Sequence, residues 1–457
     1  MRRFALLLTG LCFAAGIGVL ATSSLPNPLY TIDSTGILGT FSSSGPIDQT
    51  NPFFQSLGTN GRACASCHQA TDGWTVTPDH IRSRFEFTGG TDPIFRPVDG
   101  ANCPSADVSS YAARRSPYSL LLSKGLIRIS LPVPAGAAFS ITQIQDPYSC
   151  PETTATQPAM YRRPLPATNL DFLSAVMWDG RETVFGAIPG KSINLNQALT
   201  NQANDATLGH AQAAAAPSAE QLAQIVAFET ALYTAQEVDE NAGFLRDRGA
   251  SGGSVNLSTQ PFYIGINDAL GGDPTGAPFN PKAFSLYNSW ANLNYQPARQ
   301  AVARGQALFN TLPIPITGVG GLNDALGLPV INGNCTTCHD TPNVGNHSFS
   351  VPLAIGTTAY PAMPALDITG LPVYTVQCSD GTTVQVTDVG RAMITGKCAD
   401  VGKVKGPILR GLAARAPYFH NGAAARLEDV VEFYNQRFNL NLTAQQKSDL
   451  VAFLQTL

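Results

Sequence analysis

The motif Cys64-Ala-Ser-Cys67-His68 returns in the second half of the chain as Cys335-Thr-Thr-Cys338-His339. Two cysteines three positions apart with a histidine directly behind them have a dominant chemistry in an exported protein. The thiols add to the vinyl groups of a haem, and the histidine is then placed to ligate the iron. One CxxCH can arise by chance. Two in matching surroundings argue against a zinc site or a pair of disulfides. The chain is thus expected to fold around two covalently bound haem c groups, with His68 and His339 as proximal iron ligands.

The N-terminus fits export. Arg2 and Arg3 precede an apolar run over 4–21 and then small residues, so 1–23 reads as a signal peptide and the location as the periplasm. The run is about one membrane span long, and an uncleaved anchor is the competing reading. The chain has 457 residues, 44% of them apolar and 13% charged, enough for two or three domains with a real core. Loss of Arg2 and Arg3 takes the formal charge from −4 to −6, which gives no reason to expect nucleic-acid binding. Of nine cysteines, Cys12 lies in the leader and four belong to the motifs. The remaining four pair by closeness in sequence as Cys103–Cys150 and Cys378–Cys398 disulfides, an oxidising compartment permitting. Four free buried thiols are the alternative.

The duplication extends beyond the motifs. The stretches 218–232 and 443–457 align as amphipathic helices, each opened by a capping box, Ser218 with Gln221 and Thr443 with Gln446. Asn60-Gly61 precedes the first motif and Asn332-Gly333 the second. This predicts a mainly α fold of two cytochrome-c-like haem domains with long loops, over 45–235 and 296–457. A Gly/Pro/Asn-rich linker or insertion, 236–295, joins them. The stretch 90–160 reads as a small irregular insertion carrying the first disulfide.

CxxCH leaves the second axial position of each iron open, and that position separates an electron carrier from a catalyst. His80, His210, His347 and His420, with Met160, Met177, Met363 and Met393, are the remaining histidines and mature-chain methionines. Met363 and Met393 follow the second motif at spacings compatible with a thioether ligand, but loop or core methionines are the favoured reading.

Trp178-Asp-Gly-Arg181, the second CxxCH followed by Asp-Thr-Pro, Gly406-Pro-Ile-Leu-Arg410, Ala416-Pro-Tyr-Phe-His-Asn-Gly422 and Leu427-Glu-Asp-Val-Val-Glu-Phe-Tyr434 stand along the chain. Together these segments resemble the bacterial di-haem cytochrome c peroxidase and MauG family. The resemblance implies unequal haems. The second is an electron store whose distal ligand falls on Tyr434. Tyrosine at that place marks the MauG-like branch, and a phenolate would favour ferric and higher-valent iron. The first is the peroxide-binding haem. Gln202 matches the family's distal glutamine; its glutamate has no clean counterpart. Tyr434 lies nine residues before Thr443, and nine before Ser218 is Gly209, so His210 is expected near the first haem. It is a candidate acid–base group, a sixth ligand or a structural histidine. His80 is a second candidate distal ligand, or an ordinary loop histidine. Trp178 matches the family's inter-haem tryptophan.

The resemblance implies an enzyme that reduces hydrogen peroxide at the first haem. Through the second it would oxidise a small redox protein (cytochrome c or cupredoxin) or a side chain of a protein substrate. Two rivals stay open: a di-haem oxygenase acting on an apolar substrate, and a non-catalytic di-haem electron carrier.

Overall fold

The structure, a computed structural model, describes residues 24–186 and 192–457. The expected signal peptide over 1–23 lies outside the described residues. No helix among the described residues is long and apolar enough to cross a membrane.

The expectation of a mainly α fold is overturned. Among the described residues, eleven α-helices stand beside thirteen strands in five small sheets, so the fold is mixed α and β. Ser218 and Thr443 do cap helices, over Ala219–Thr230 and Ala444–Gln455, each with a reciprocal box to a glutamine. The strands escaped because their partners are remote. Gly36–Ser42 pairs antiparallel with Leu232–Asp239, and Phe139–Gln145 with Val373–Cys378. Leu232–Asp239 is buried at nearly every residue, so it shows no alternation for a period-two reading to find.

The four-stranded sheet runs Leu29–Ile32, Gly36–Ser42, Leu232–Asp239, Gly243–Phe244 in spatial order. It braces the first CxxCH. Thr40 accepts a hydrogen bond from the Trp74 indole at 3.0 Å, and the Thr234 hydroxyl lies 2.9 Å from those of both Thr40 and Thr168. Behind the motif, Phe53, Trp74 and Phe228 pack ring against ring, and Phe53 lies 6.2 Å from the His68 ring.

Behind the second motif, the helix Pro297–Thr311 packs on Ala444–Gln455. Gly305 is required there, because a Cβ would sit 1.9 Å from the Asp449 carbonyl oxygen. Phe309 joins this core to the site, 5.3 Å from Phe284, 5.7 Å from Phe453 and 5.8 Å from His339 between ring centres.

The stretch 90–160 is tied into both halves. Its strand Phe139–Gln145 forms a three-stranded sheet with Val373–Cys378 and Thr383–Val386. Cys103 and Cys150 lie 5.4 Å apart at Cα and Cys378 and Cys398 5.8 Å, both separations a disulfide spans.

Candidate functional site

The two CxxCH segments adopt one local structure. Each opens with a 3-10 turn, Cys64–Ser66 and Cys335–Thr337. In each, the histidine amide donates to the first cysteine's carbonyl at 3.1 Å. The His68 Nδ1 meets the Trp74 carbonyl at 3.0 Å, and the His339 Nδ1 meets the Gly345 carbonyl at 2.7 Å. Both carbonyls lie six residues beyond their histidine. A bond from Nδ1–H to a backbone carbonyl sets the tautomer and leaves Nε2 as the free donor atom. Gly345 has φ +77, and a Cβ there would meet the Phe284 ring at 2.7 Å. At the corresponding place Trp74 itself takes φ +63, an uncommon conformation for a bulky residue. Its indole bond to Thr40 holds it there.

One cavity of about 410 Å³ is lined by Cys64, Cys67 and His68 and by Cys335, Cys338 and His339. The residues fit a haem at each motif. The four cysteines are not cross-linked. Burial pushes the Cys64, Cys335 and Cys338 thiols up to about 12 and raises Cys67 as well, so they are poor thiolate metal ligands as they stand. Among the described residues, the one His/Cys/acid cluster close enough for a metal ion is Cys103, Cys150 and Glu152, which contains the disulfide pair.

On the first side, the helix Leu195–Gly209 and its C-cap His210 turn one face to the cavity through Leu199, Gln202, Ala203, Ala206, Thr207 and His210. These positions recur at three and four residues, the spacing of one helix face. Gln202 makes no side-chain hydrogen bond to another described residue. His210 is half-buried, and its Nδ1 is bonded to Asp99, which Arg62 grips through its other oxygen at 2.5 Å. Burial raises the Asp99 carboxyl, but the His210 bond and the His210 and Arg62 charges outweigh it and hold Asp99 below the usual range. Asp99 and Arg62 carried no sequence signal as site residues. Asp99 lies 111 positions from His210, inside the stretch taken for an irregular insertion. Glu229, on the helix Ala219–Thr230, also lines the cavity; its Oε2 has no partner, and burial pushes its carboxyl up to about 8.

On the second side, Tyr434 lies on the helix Leu427–Arg437, lines the cavity and packs against the same apolar cluster, Ile314, Ile316 and Phe438 among it, as Cys335 and Cys338. Its hydroxyl has no hydrogen-bond partner among the described residues. Burial, joined by the Cys338 and Cys335 thiols, raises the phenol well above its ordinary value. Met363 and Met393 do not line the cavity; Met393 is buried against Phe139 and Tyr374. His80 does not line it either. It sits on the helix Pro78–Thr88, half-exposed, with Nδ1 bonded to Asp72.

Trp178 lines the same cavity, its indole N–H donating to the Arg163 carbonyl at 2.8 Å and its ring 6.1 Å from His420. Next to it, buried Asp179 accepts from Arg162, which also grips Asp388 in a fork at 2.7 and 2.9 Å. Arg162 thereby joins the first half of the chain to the second at the level of Trp178.

Comparison with known proteins agrees with this chemistry over part of the chain. No protein-family model matches. The chain is 33% identical over 138 residues to the cytochrome-c peroxidase IdrP2 of Denitromonas iodatirespirans, covering 27% of this chain and 36% of that protein. It is 42% identical over 69 residues to the cytochrome c551 peroxidase of Nitrosomonas europaea, covering 15% and 21%. The chain thus spans about a third or less of the length of these relatives. A solved MauG-like protein associated with microbial copper homeostasis aligns over 97% of this chain and 95% of its own, at 16% identity and a TM-score of 0.38. That likeness is too weak to bear on function. By sequence, over about a quarter of its length, the chain is similar to proteins named cytochrome-c peroxidases.

Proposed function

We propose that this protein is a periplasmic di-haem c-type peroxidase or oxidase. It reduces hydrogen peroxide on the Cys64–His68 side and oxidises a small redox protein or a protein substrate through the Cys335–His339 side. The observation that carries the reading is the shared cavity, whose two distal faces differ. One presents Gln202 and a carboxylate-backed His210; the other presents Tyr434.

A haem held by Cys64, Cys67 and His68, and one held by Cys335, Cys338 and His339, would each supply one-electron redox chemistry. The chain's own residues do the rest. Reduction of peroxide to two waters consumes two protons and two electrons. His210 moves a proton between the peroxide oxygens, with Nε2 as the working nitrogen because Asp99 occupies Nδ1. Gln202, about two helical turns away on the same face, offers its amide to peroxide in the same cavity. Apolar side chains of the same helix face, Leu199 and Ala203 among them, limit water there. Trp178, on the same cavity, is the aromatic relay for electrons between the two motifs, and Tyr434 would help hold the haem attached at Cys335 and Cys338.

Electron paramagnetic resonance of the ferric protein tests the reading. One high-spin and one low-spin haem, with peroxide consumed in the presence of reductant, is expected. Two low-spin haems with no peroxide reaction would overturn it in favour of an electron carrier. Tyr434→Met is expected to change the low-spin signal and spectrum of the second haem while leaving the first as it was. If the second-haem spectrum does not move, Tyr434 is not its ligand.

A further inference from the structure

Three cations line the cavity without an acidic partner. Arg163 and Arg415 are buried, 6% and 7% exposed, and Lys405 is 7% exposed. Among the described residues none of the three forms an ion pair with a carboxylate. The contrast is Arg162, adjacent in sequence and equally buried, which two aspartates neutralise. Burial, with the Arg163 charge added, lowers Arg415 to about 9; burial lowers Arg163 to about 10 although Asp72 opposes it, and Lys405 to about 8. A buried charge left uncompensated is costly. An anion belongs in that part of the cavity.

The two guanidiniums also show where it belongs. Arg415 Nε donates to the Gly73 carbonyl at 3.1 Å, and Arg163 Nη2 donates to the Val76 carbonyl at 2.7 Å. Gly73 and Val76 bracket Trp74, whose carbonyl holds the His68 imidazole. Arg415 Nη2 is buried and has no acceptor. A planar fork with donors to spare matches a carboxylate.

We propose that Arg163 and Arg415 form a carboxylate-binding pair that holds a propionate of the haem attached at Cys64 and Cys67. This rests on the di-haem reading above. Arg415 comes from the second half of the chain, so the pair ties the first haem to both halves at once. Arg415 is on this account both a cofactor contact and a support for the His68 loop.

The test is spectroelectrochemistry of the holoprotein, wild type against Arg415→Gln and Arg415→Lys, with haem per chain counted by the pyridine haemochrome. Removal of a cation beside a propionate favours ferric iron. The first haem's midpoint is therefore expected to fall in Arg415→Gln and to return towards wild type in Arg415→Lys, while the second haem's midpoint holds. An unmoved first midpoint in a variant that carries two haems overturns the pairing. Acetate titration distinguishes a free carboxylate: a wild-type shift on acetate that Arg415→Gln abolishes would show the pair open to solution anions and overturn the propionate assignment. If Arg415→Gln does not fold, resonance Raman of the wild type decides. The first haem's propionate bending mode must sit at a strongly hydrogen-bonded position, and a free-propionate position overturns the pairing. A wild-type chain without covalent haem would instead overturn the di-haem reading itself.

Discussion

Arg162→Met is expected to destabilise the protein by about 3–5 kcal/mol, the usual result of removing one partner from a buried ionic cluster. Arg162 is 2% exposed, and its partners Asp179 and Asp388 are 0% and 1% exposed. Methionine fills part of the space but leaves two buried carboxylates. Asp179 keeps Arg181 at 3.0 Å, whereas Asp388 keeps the Gly390 amide and a distant His420. The deficit should depend on pH with a definite sign. Burial raises both aspartates, but Arg162 foremost, by charge and hydrogen bond, reverses this and holds them below the usual carboxylate range. Such depressed groups contribute stability above their unfolded pKa, and lose it as pH falls through the folded value. The gap between wild type and variant should therefore be widest near neutrality and narrow below about pH 4, where aspartate ordinarily protonates. Denaturant unfolding at pH 7 and at about pH 3 measures both. A loss below about 1 kcal/mol at pH 7, the worth of a surface pair, would mean that the cluster does not clamp the two halves.

His210→Ala is expected to slow the reaction with peroxide by about 10²–10⁴-fold, the range a positioned acid–base group supplies. The haem content and the second-haem spectrum should stay as they are, since His210 lies on the first side of the cavity. Asp99→Asn should slow the same step less, because the imidazole loses the carboxylate that orients it. Stopped-flow mixing with peroxide reads the rate directly. A wild-type rate in His210→Ala would remove it from the chemistry and leave Gln202 as the polar group on that face. A variant with the wild-type rate but an altered ferric spin state would identify His210 as an axial ligand instead.

The sequence was most legible where chemistry is written in adjacent residues. CxxCH, the Trp178-Asp179-Gly180-Arg181 segment and the helix carrying Tyr434 are local patterns, and their residues come together on one cavity. The offset of nine residues from each capping box also pointed to His210, which lines the cavity as the C-cap of its helix, whereas Tyr434 lies inside its own. The strands did not announce themselves. Gly36–Ser42 and Leu232–Asp239 are separated by almost half the chain, and pairing at that range is settled by tertiary packing rather than by propensity.

What the sequence alone determined is therefore local: two CxxCH motifs, with four thiols and two adjacent histidines, and the capped helices Ala219–Thr230 and Ala444–Gln455 that follow them. What only the tertiary structure decided is the environment of those groups. It brought Asp99 from an apparent insertion to the back of His210, turned His80 away to Asp72, and set the Arg163 and Arg415 guanidiniums around the carbonyls that flank Trp74. The physical reason is that a covalent motif needs only neighbours in the chain. Orientation of an imidazole, neutralisation of a buried charge and exclusion of water each depend on groups that folding alone brings within a few ångströms.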